Sequence, residues 1–284
     1  MKVNMSKPNH DHNSPVSSTK SNAKSNIKED RHFVTALARG LDLLASFRSS
    51  DSLMGNQELA ERSKLPKSTV SRLTYTLTKL GYLVYVEGVG KYRLGSATLA
   101  LGSSMLARLD VRQLARPYMQ ELADFSHGMV SLGLRDRLSM IYVENRRAQT
   151  ALTLSLDVGS RIPIATTAMG RAYLAVVSDV ERNEILERVR EFDEFSWPTT
   201  RDSIMRSIAE YHSIGCCTSF GDWQKDVNAI AVGFKPENGM APVSINCGGP
   251  AFNLSPAFLM NEVQPRLRDL VARLQLELAG NPTA

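Results

Sequence analysis

At 284 residues, 43% of them apolar, the chain is long enough for two domains that each bury a core. It contains no run of 18 or more apolar residues and begins with no apolar signal core, so neither a membrane span nor a secretory leader is expected. Cys216, Cys217 and Cys247 are an odd set without CxxC spacing, which fits a reducing cytoplasm and argues against a disulfide or zinc framework.

Residues 1–30 are rich in Asn, Ser, Lys and His and poor in large apolar side chains, so a disordered tail is expected. Its His10, Asp11 and His12 could hold a metal only weakly; no metal site or cofactor is expected. The next unit, 31–95, opens with Val34, Leu37, Leu41, Leu44 and Phe47 at helical spacing, which predicts a helix over 33–47. A short helix over 56–63 follows, with Leu59 and Ala60 inward and Leu65 filling the next turn. A third helix is placed over 66–80, with Pro66 in its first turn and Gly81 as a left-handed stop. Val70, Leu73, Leu77 and Leu80 fall on one side of it. Ser68, Arg72, Tyr75 and Lys79 fall on the other. Short β segments over 82–86 and 91–94 surround Glu87-Gly88-Val89-Gly90 and read as a hairpin.

The polar face alone is also compatible with a solvated helix, since most charged faces are simply wet. The order helix, helix, helix, hairpin is far more specific: it is that of a winged helix-turn-helix, whose third helix enters the major groove by its N-terminal end. Candidate DNA-binding residues are therefore Lys67, Ser68, Thr69, Ser71, Arg72, Tyr75 and Lys79, with Lys91 and Arg93 on the wing for phosphates. Charge agrees. Residues 31–95 hold ten Lys/Arg against five Asp/Glu, whereas 96–284 hold nineteen against twenty-one. The basic excess sits where phosphates would be met.

Residues 96–110 carry apolar side chains on more than one face: Ala97, Leu101 and Met105 on one, Leu99, Leu106 and Leu109 on another. Such a helix needs partners on two sides. It is either buried within one chain or a linker that helps dimerise the protein, with Gly102, Ser103 and Ser104 permitting close approach. A dimer would match a palindromic operator.

From 111 onward helices and strands alternate. Helices are expected over 112–126, 168–177, 179–189, 203–214 and 255–278, and strands over 129–134, 140–144, 151–156, 217–220, 227–234 and 241–247. Glu237-Asn238-Gly239 is read as a hairpin turn. The expected class is α+β, a central antiparallel sheet flanked by helices. Acid–base or nucleophilic candidates are His127, His212, Asp222, Glu144 and Cys216/Cys217. They form no recognisable nucleophile–base set, and the chain has no P-loop or GxGxxG, so an enzyme is not expected.

Four stretches, ELAERSKLPKSTVSRLTYTLTKLGYL, KYRLG, VGSRIPIATTAMGRAYLA and VNAIAVGF with SINCGGP, make the chain resemble the IclR family of transcriptional regulators from about Phe33 to Gly280. The resemblance implies a winged helix-turn-helix, a linker helix and a GAF/PAS-like domain that binds a small effector. It further implies a homodimer or dimer of dimers that represses or activates a catabolic operon in the cytoplasm. Thr166 and Thr167 can cap a helix starting near Ala168, whose free N–H groups would attract a carboxylate. Carried over from the family, effector contacts are Ala168, Met169, Ser219, Val227, Ala229, Ser244 and Asn246. Arg171, Asp222, Asp226, Gly233, Ala229 and Cys247 depart from the family pattern around this pocket. The expected partners are double-stranded DNA and a small organic acid. The alternative is a constitutive DNA-binding protein whose second domain only oligomerises.

Overall fold

The computed structural model describes residues 32–48, 51–148, 156–236 and 240–280. The expected N-terminal tail, most of the strand expected over 151–156 and the turn at 237–239 lie outside these residues.

Three helices and a hairpin form the first unit: α1 (Thr35–Ala45), α2 (Asn56–Ser63), α3 (Lys67–Lys79), β1 (Leu83–Val86) and β2 (Lys91–Leu94). Glu58 caps α2 by accepting from the Gly55 N–H at 2.7 Å, and Lys64 ends the helix in the left-handed region at φ 56°. Pro66 stands just outside α3 as its N-cap residue, one position earlier than expected. Gly81 takes φ 77°, as its place after Leu80 requires. β1 and β2 pair in register from Leu83↔Leu94 to Val86↔Lys91. A bridge from Met54 to Tyr92 ties the approach to α2 onto the wing.

The core of this unit is Leu43, Phe47, Met54, Leu59, Ala60, Val70, Leu77 and Leu83. The apolar stripe expected to bury α1 behaves differently. Leu44 and Phe47 turn inward, whereas Phe33, Val34, Leu37 and Leu41 are 56–62% exposed. Leu43 is fully buried instead. On α3 the buried set is Val70, Thr74 and Leu77, while Leu80 is 61% exposed. Thr74 tolerates burial because its hydroxyl donates to the Ser71 carbonyl at 3.1 Å.

α4 (Ser96–Leu106) connects the units and has no buried residue; Leu99, Leu101 and Met105 are 53–70% exposed. The second unit comprises α5 (Asp110–Ser126), β3 (Met129–Asp136), β4 (Ser139–Arg147), β5 (Arg161–Pro163), α6 (Ala168–Val176), α7 (Asp179–Phe192), α8 (Trp197–Ile214), β6 (Cys217–Phe220), β7 (Val227–Phe234), β8 (Val243–Pro250), α9 (Pro256–Phe258) and α10 (Gln264–Gly280). Its strands make one antiparallel sheet, ordered β5-β4-β3-β8-β7-β6. β5 was not anticipated, and it is only three residues long. The single C-terminal helix expected over 255–278 is interrupted by a π segment at Leu259–Val263. Pro265, lacking an N–H, cannot continue the ladder and instead fits the first turn of α10.

Alternation along the strands sends side chains to two cores. One, with Val130, Ile230, Ile245 and Cys247, packs on α5 and α10. The other, with Met129, Tyr142, Cys217 and Ala231, packs on α6, α7 and α8. Cys216 and Cys217 thus enter opposite layers, and both are fully buried.

Candidate nucleic-acid interface and ligand pocket

Lys67, Ser68, Ser71, Arg72, Tyr75 and Lys79 are all exposed on α3, because Val70, Thr74 and Leu77 use the other face. The Lys79 ammonium lies 5.5 Å from the Tyr75 ring centroid. Thr69 is placed differently from expectation: it is half-buried in a groove lined by α1, α3 and α4, where Leu37, Leu41, Leu73 and Leu101 are its neighbours. The reason is angular, since at about 100° per residue Thr69 falls between Thr76 and Leu73 at the edge of the inward face, and all three line the groove. On the wing, Arg93 is exposed, but Lys91 Nζ sits 3.2 Å from Glu58 Oε2. The Gly55 N–H, then Lys91, hold the Glu58 carboxyl below its usual range. Two residues of α2 join this surface without having been foreseen. Asn56 Nδ2 donates to Ser71 Oγ at 3.4 Å, and Lys67 Nζ donates to Gln57 Oε1 at 3.4 Å. Their signal was the start of α2, which the turn at Lys64 brings alongside α3.

The second site lies where α6 begins against the sheet. Thr167 caps α6: its Oγ1 accepts from the Gly170 N–H at 3.2 Å and donates to the Pro163 carbonyl at 2.7 Å. Thr166 does not cap; its carbonyl accepts from Ser219 Oγ at 3.1 Å. The Ala168 and Met169 N–H groups, in the first turn, have no intrahelical acceptor. A small cavity of about 20 Å³ lies here, room for about one water. Its lining brings together Ala168, Ser219, Val227, Ala229 and Asn246 from the expected set. Met129, Tyr142, Ile162 and Trp223 also line it, and pairing pattern alone could not have assigned them.

Two residues of the expected set do not line this cavity. Met169 points beneath α6 toward Gly133, where an added Cβ would meet its sulfur at 2.3 Å. Ser244 lies opposite Gly133 and Gly233 in the ladder, two residues along from Asn246, and its hydroxyl donates to the Val232 carbonyl. Both are buried away from the cavity lining.

Beside the pocket Arg171, 4% exposed, donates to the Ala165 and Thr218 carbonyls, to Ser203 Oγ at 2.9 Å and to Asp222 at 2.5 Å. This grips the β6–β7 loop that carries Trp223. The other titratable candidates are not brought together. Glu144 lies on the α5 side of the sheet, paired with Arg112, Arg116 and Arg146 at 2.8–3.1 Å. His127 ends α5 at φ 52°, and His212 occupies the last turn of α8. Burial pushes the Cys216 and Cys247 thiols up to about 11, and raises Cys217 further. Among the described residues, no group of three His, Cys, Asp or Glu could hold a metal, and no helix is long and apolar enough to cross a membrane.

A winged helix-turn-helix with an outward basic helix, followed by a sheet domain, defines a DNA-binding transcriptional regulator. Residues 36–87 match the IclR helix-turn-helix domain, and residues 103–274 match the bacterial transcriptional regulator IclR C-terminal domain. The chain belongs to the IclR family, whose members are transcriptional regulators and not enzymes. It is 34% identical over 247 residues to the HTH-type transcriptional regulator TsaQ1/TsaQ2 of Comamonas testosteroni, covering 86% of this chain and 88% of that one. An IclR-family regulator from Brucella abortus superposes with a TM-score of 0.77 at 41% identity, over 88% of this chain and 94% of that one. An IclR homologue from Microbacterium hydrocarbonoxydans, complexed with 4-hydroxybenzoate, shares the fold at a TM-score of 0.68 and 23% identity, over 87% of this chain and 100% of that one. Nothing in these likenesses supports a purely oligomerising role for the second domain.

Proposed function

We propose that the protein regulates a catabolic operon under the control of a small carboxylate metabolite, which binds between the start of α6 and the sheet. The observation that carries this reading is the mixed pocket itself: the start of α6 at one end, an apolar wall of Met129, Ile162 and Val227, and the buried Asn246 amide, whose Oδ1 has no hydrogen-bond partner. Helix starts favour anions. That a Microbacterium homologue of this fold is complexed with 4-hydroxybenzoate supports an organic acid as the kind of ligand.

The DNA-contacting set is Lys67, Ser68, Ser71, Arg72, Tyr75 and Lys79 with Arg93. Lys91 contributes less because Glu58 already neutralises it. Phe33, Val34, Leu37 and Leu41 on the α1 side, with Leu99, Leu101 and Met105 of α4, form an exposed apolar surface that a second copy covers. Two third helices are thereby paired for a palindromic operator. The acid acts by binding the DNA-competent and incompetent arrangements of that dimer with different affinity. Footprinting on DNA upstream of its own and neighbouring genes, across a panel of organic acids, tests this. A protected palindrome that changes with one acid is expected. Protection insensitive to every acid sinks the regulatory part of the reading.

A further inference from the structure

We propose that three arginines gathered over the buried Glu144 form a second anion site, on the other face of the sheet from the pocket, and that it takes a phosphate dianion, free or as a monoester. The site does not depend on the ligand reading above. Glu144 and Arg146 are two residues apart on β4, opposite Leu132 and Val130 of β3, so both point to the α5 face. Arg112 and Arg116 are four apart on α5, so their side chains emerge together and meet that pair.

The guanidiniums outnumber the acid. Arg112 Nε lies 2.8 Å from Glu144 Oε2, and Arg116 Nε donates to the same oxygen at 2.9 Å. A terminal nitrogen of Arg146 lies 3.1 Å from Oε1. Among the described residues no other carboxylate pairs with these three arginines, so three positive charges share one negative and two are left over. The Nη groups of Arg112 and Arg116 take no part in these bonds, and Arg146 Nε is buried with no hydrogen-bond partner. Like charges held side by side repel, and an unpaired buried donor is costly.

A dianion answers both. Its two charges balance the two left over, and its oxygens accept from guanidinium edges, whose planar fork matches phosphate. Access is open. The Glu144 side chain is only 5% exposed, whereas the arginines are 20–41% exposed, so the anion arrives from solvent without displacing the carboxylate. The Arg112 N–H donates to the Leu109 carbonyl at 2.9 Å, in the turn joining α4 to α5. A phosphate held here therefore cross-links β4 to the joint between linker and second unit.

Calorimetry and thermal melting of the full chain in phosphate, against chloride of equal ionic strength, test the proposal. Phosphate binds saturably and, at ten times its dissociation constant, raises the melting temperature by about 3 °C or more. Both signals are lost in Arg146→Met, in which Glu144 keeps Arg112 and Arg116. Arg116→Gln weakens phosphate binding by about tenfold or more, and this readout stands if the methionine variant does not fold. A monoester such as glycerol phosphate that binds more tightly than inorganic phosphate makes the ligand a phosphorylated metabolite; one that binds more weakly makes it the free ion. The site is overturned if phosphate acts no differently from chloride, or if it binds either variant as tightly as the native chain. Succinate binding as tightly as phosphate overturns the choice of phosphate.

Discussion

Arg72 and Lys91 are both basic and both belong to the DNA-facing unit, but only one has its charge to spare. Lys91 already lies 3.2 Å from Glu58, whereas Arg72 is exposed on the outward face of α3, the face proposed to meet DNA. Arg72→Ala should cost about 1–3 kcal/mol of operator binding if the guanidinium reads a base. Lys91→Ala should cost less than 1 kcal/mol and leave the salt dependence nearly unchanged, and fluorescence anisotropy across salt concentrations measures both. At the pocket, Asp222 is 45% exposed, yet it is the anion that Arg171 has in a site only 5% open. Asp222→Asn leaves that guanidinium buried with only neutral partners, so a destabilisation of about 3 kcal/mol is expected in urea unfolding, large for a half-exposed position. The cysteines are the opposite case. With thiols pushed up to about 11 at Cys216 and Cys247, and higher still at Cys217, a disulfide reagent at pH 8 should find no reactive thiol until the protein is unfolded. Rapid native-state labelling would contradict the burial described here.

At the scale of elements, α6 depends on close backbone approach. A Cβ on Gly170 would meet the Ile164 carbonyl oxygen at 2.1 Å, and one on Gly233 would meet that of Ala172 at 2.3 Å. Gly170→Ala and Gly233→Ala should each destabilise the second unit by about 2–3 kcal/mol, visible as a lowered melting temperature, because backbone and not a flexible side chain must move. Such packing explains what the sequence could and could not disclose. Helix periodicity, the Leu80-Gly81 stop and the β6 and β7 runs were legible because each is a local signal with its own physical cause. The Thr167 cap was legible for the same reason. That the Met169 and Ser244 side chains stay out of the cavity lining was not legible, because only tertiary packing decides which side chain of an element reaches it. Tyr142 and Trp223 were missed for the converse reason: an aromatic in a strand or loop reads as core until the facing helix is in place. β5 is too short to carry a periodic signal, and the π segment follows from Pro265 inside an otherwise good helical pattern.

For the whole molecule, exposed apolar residues are the informative feature. α4 has no buried residue within one chain, and Leu37 and Leu41 of α1 stand open beside it. On the reading proposed above, a second copy would remove this surface from water. Leu41→Glu combined with Leu101→Glu should therefore give a monomer in sedimentation analysis and lower operator affinity, since one third helix then binds one half-site. An unaltered oligomer would place the interface elsewhere. Pairing through α1 and α4 would also put the linker where a change in the second unit can alter the spacing of the two α3 helices. That requires the ligand to favour one spacing over the other, since equal affinity for both would shift nothing. The measurement that tests this most directly is the dissociation constant for the footprinted operator with and without a saturating acid that calorimetry shows to bind. A change of about fivefold or more, in either direction, is predicted. An operator affinity identical in the free and acid-bound protein would contradict the account.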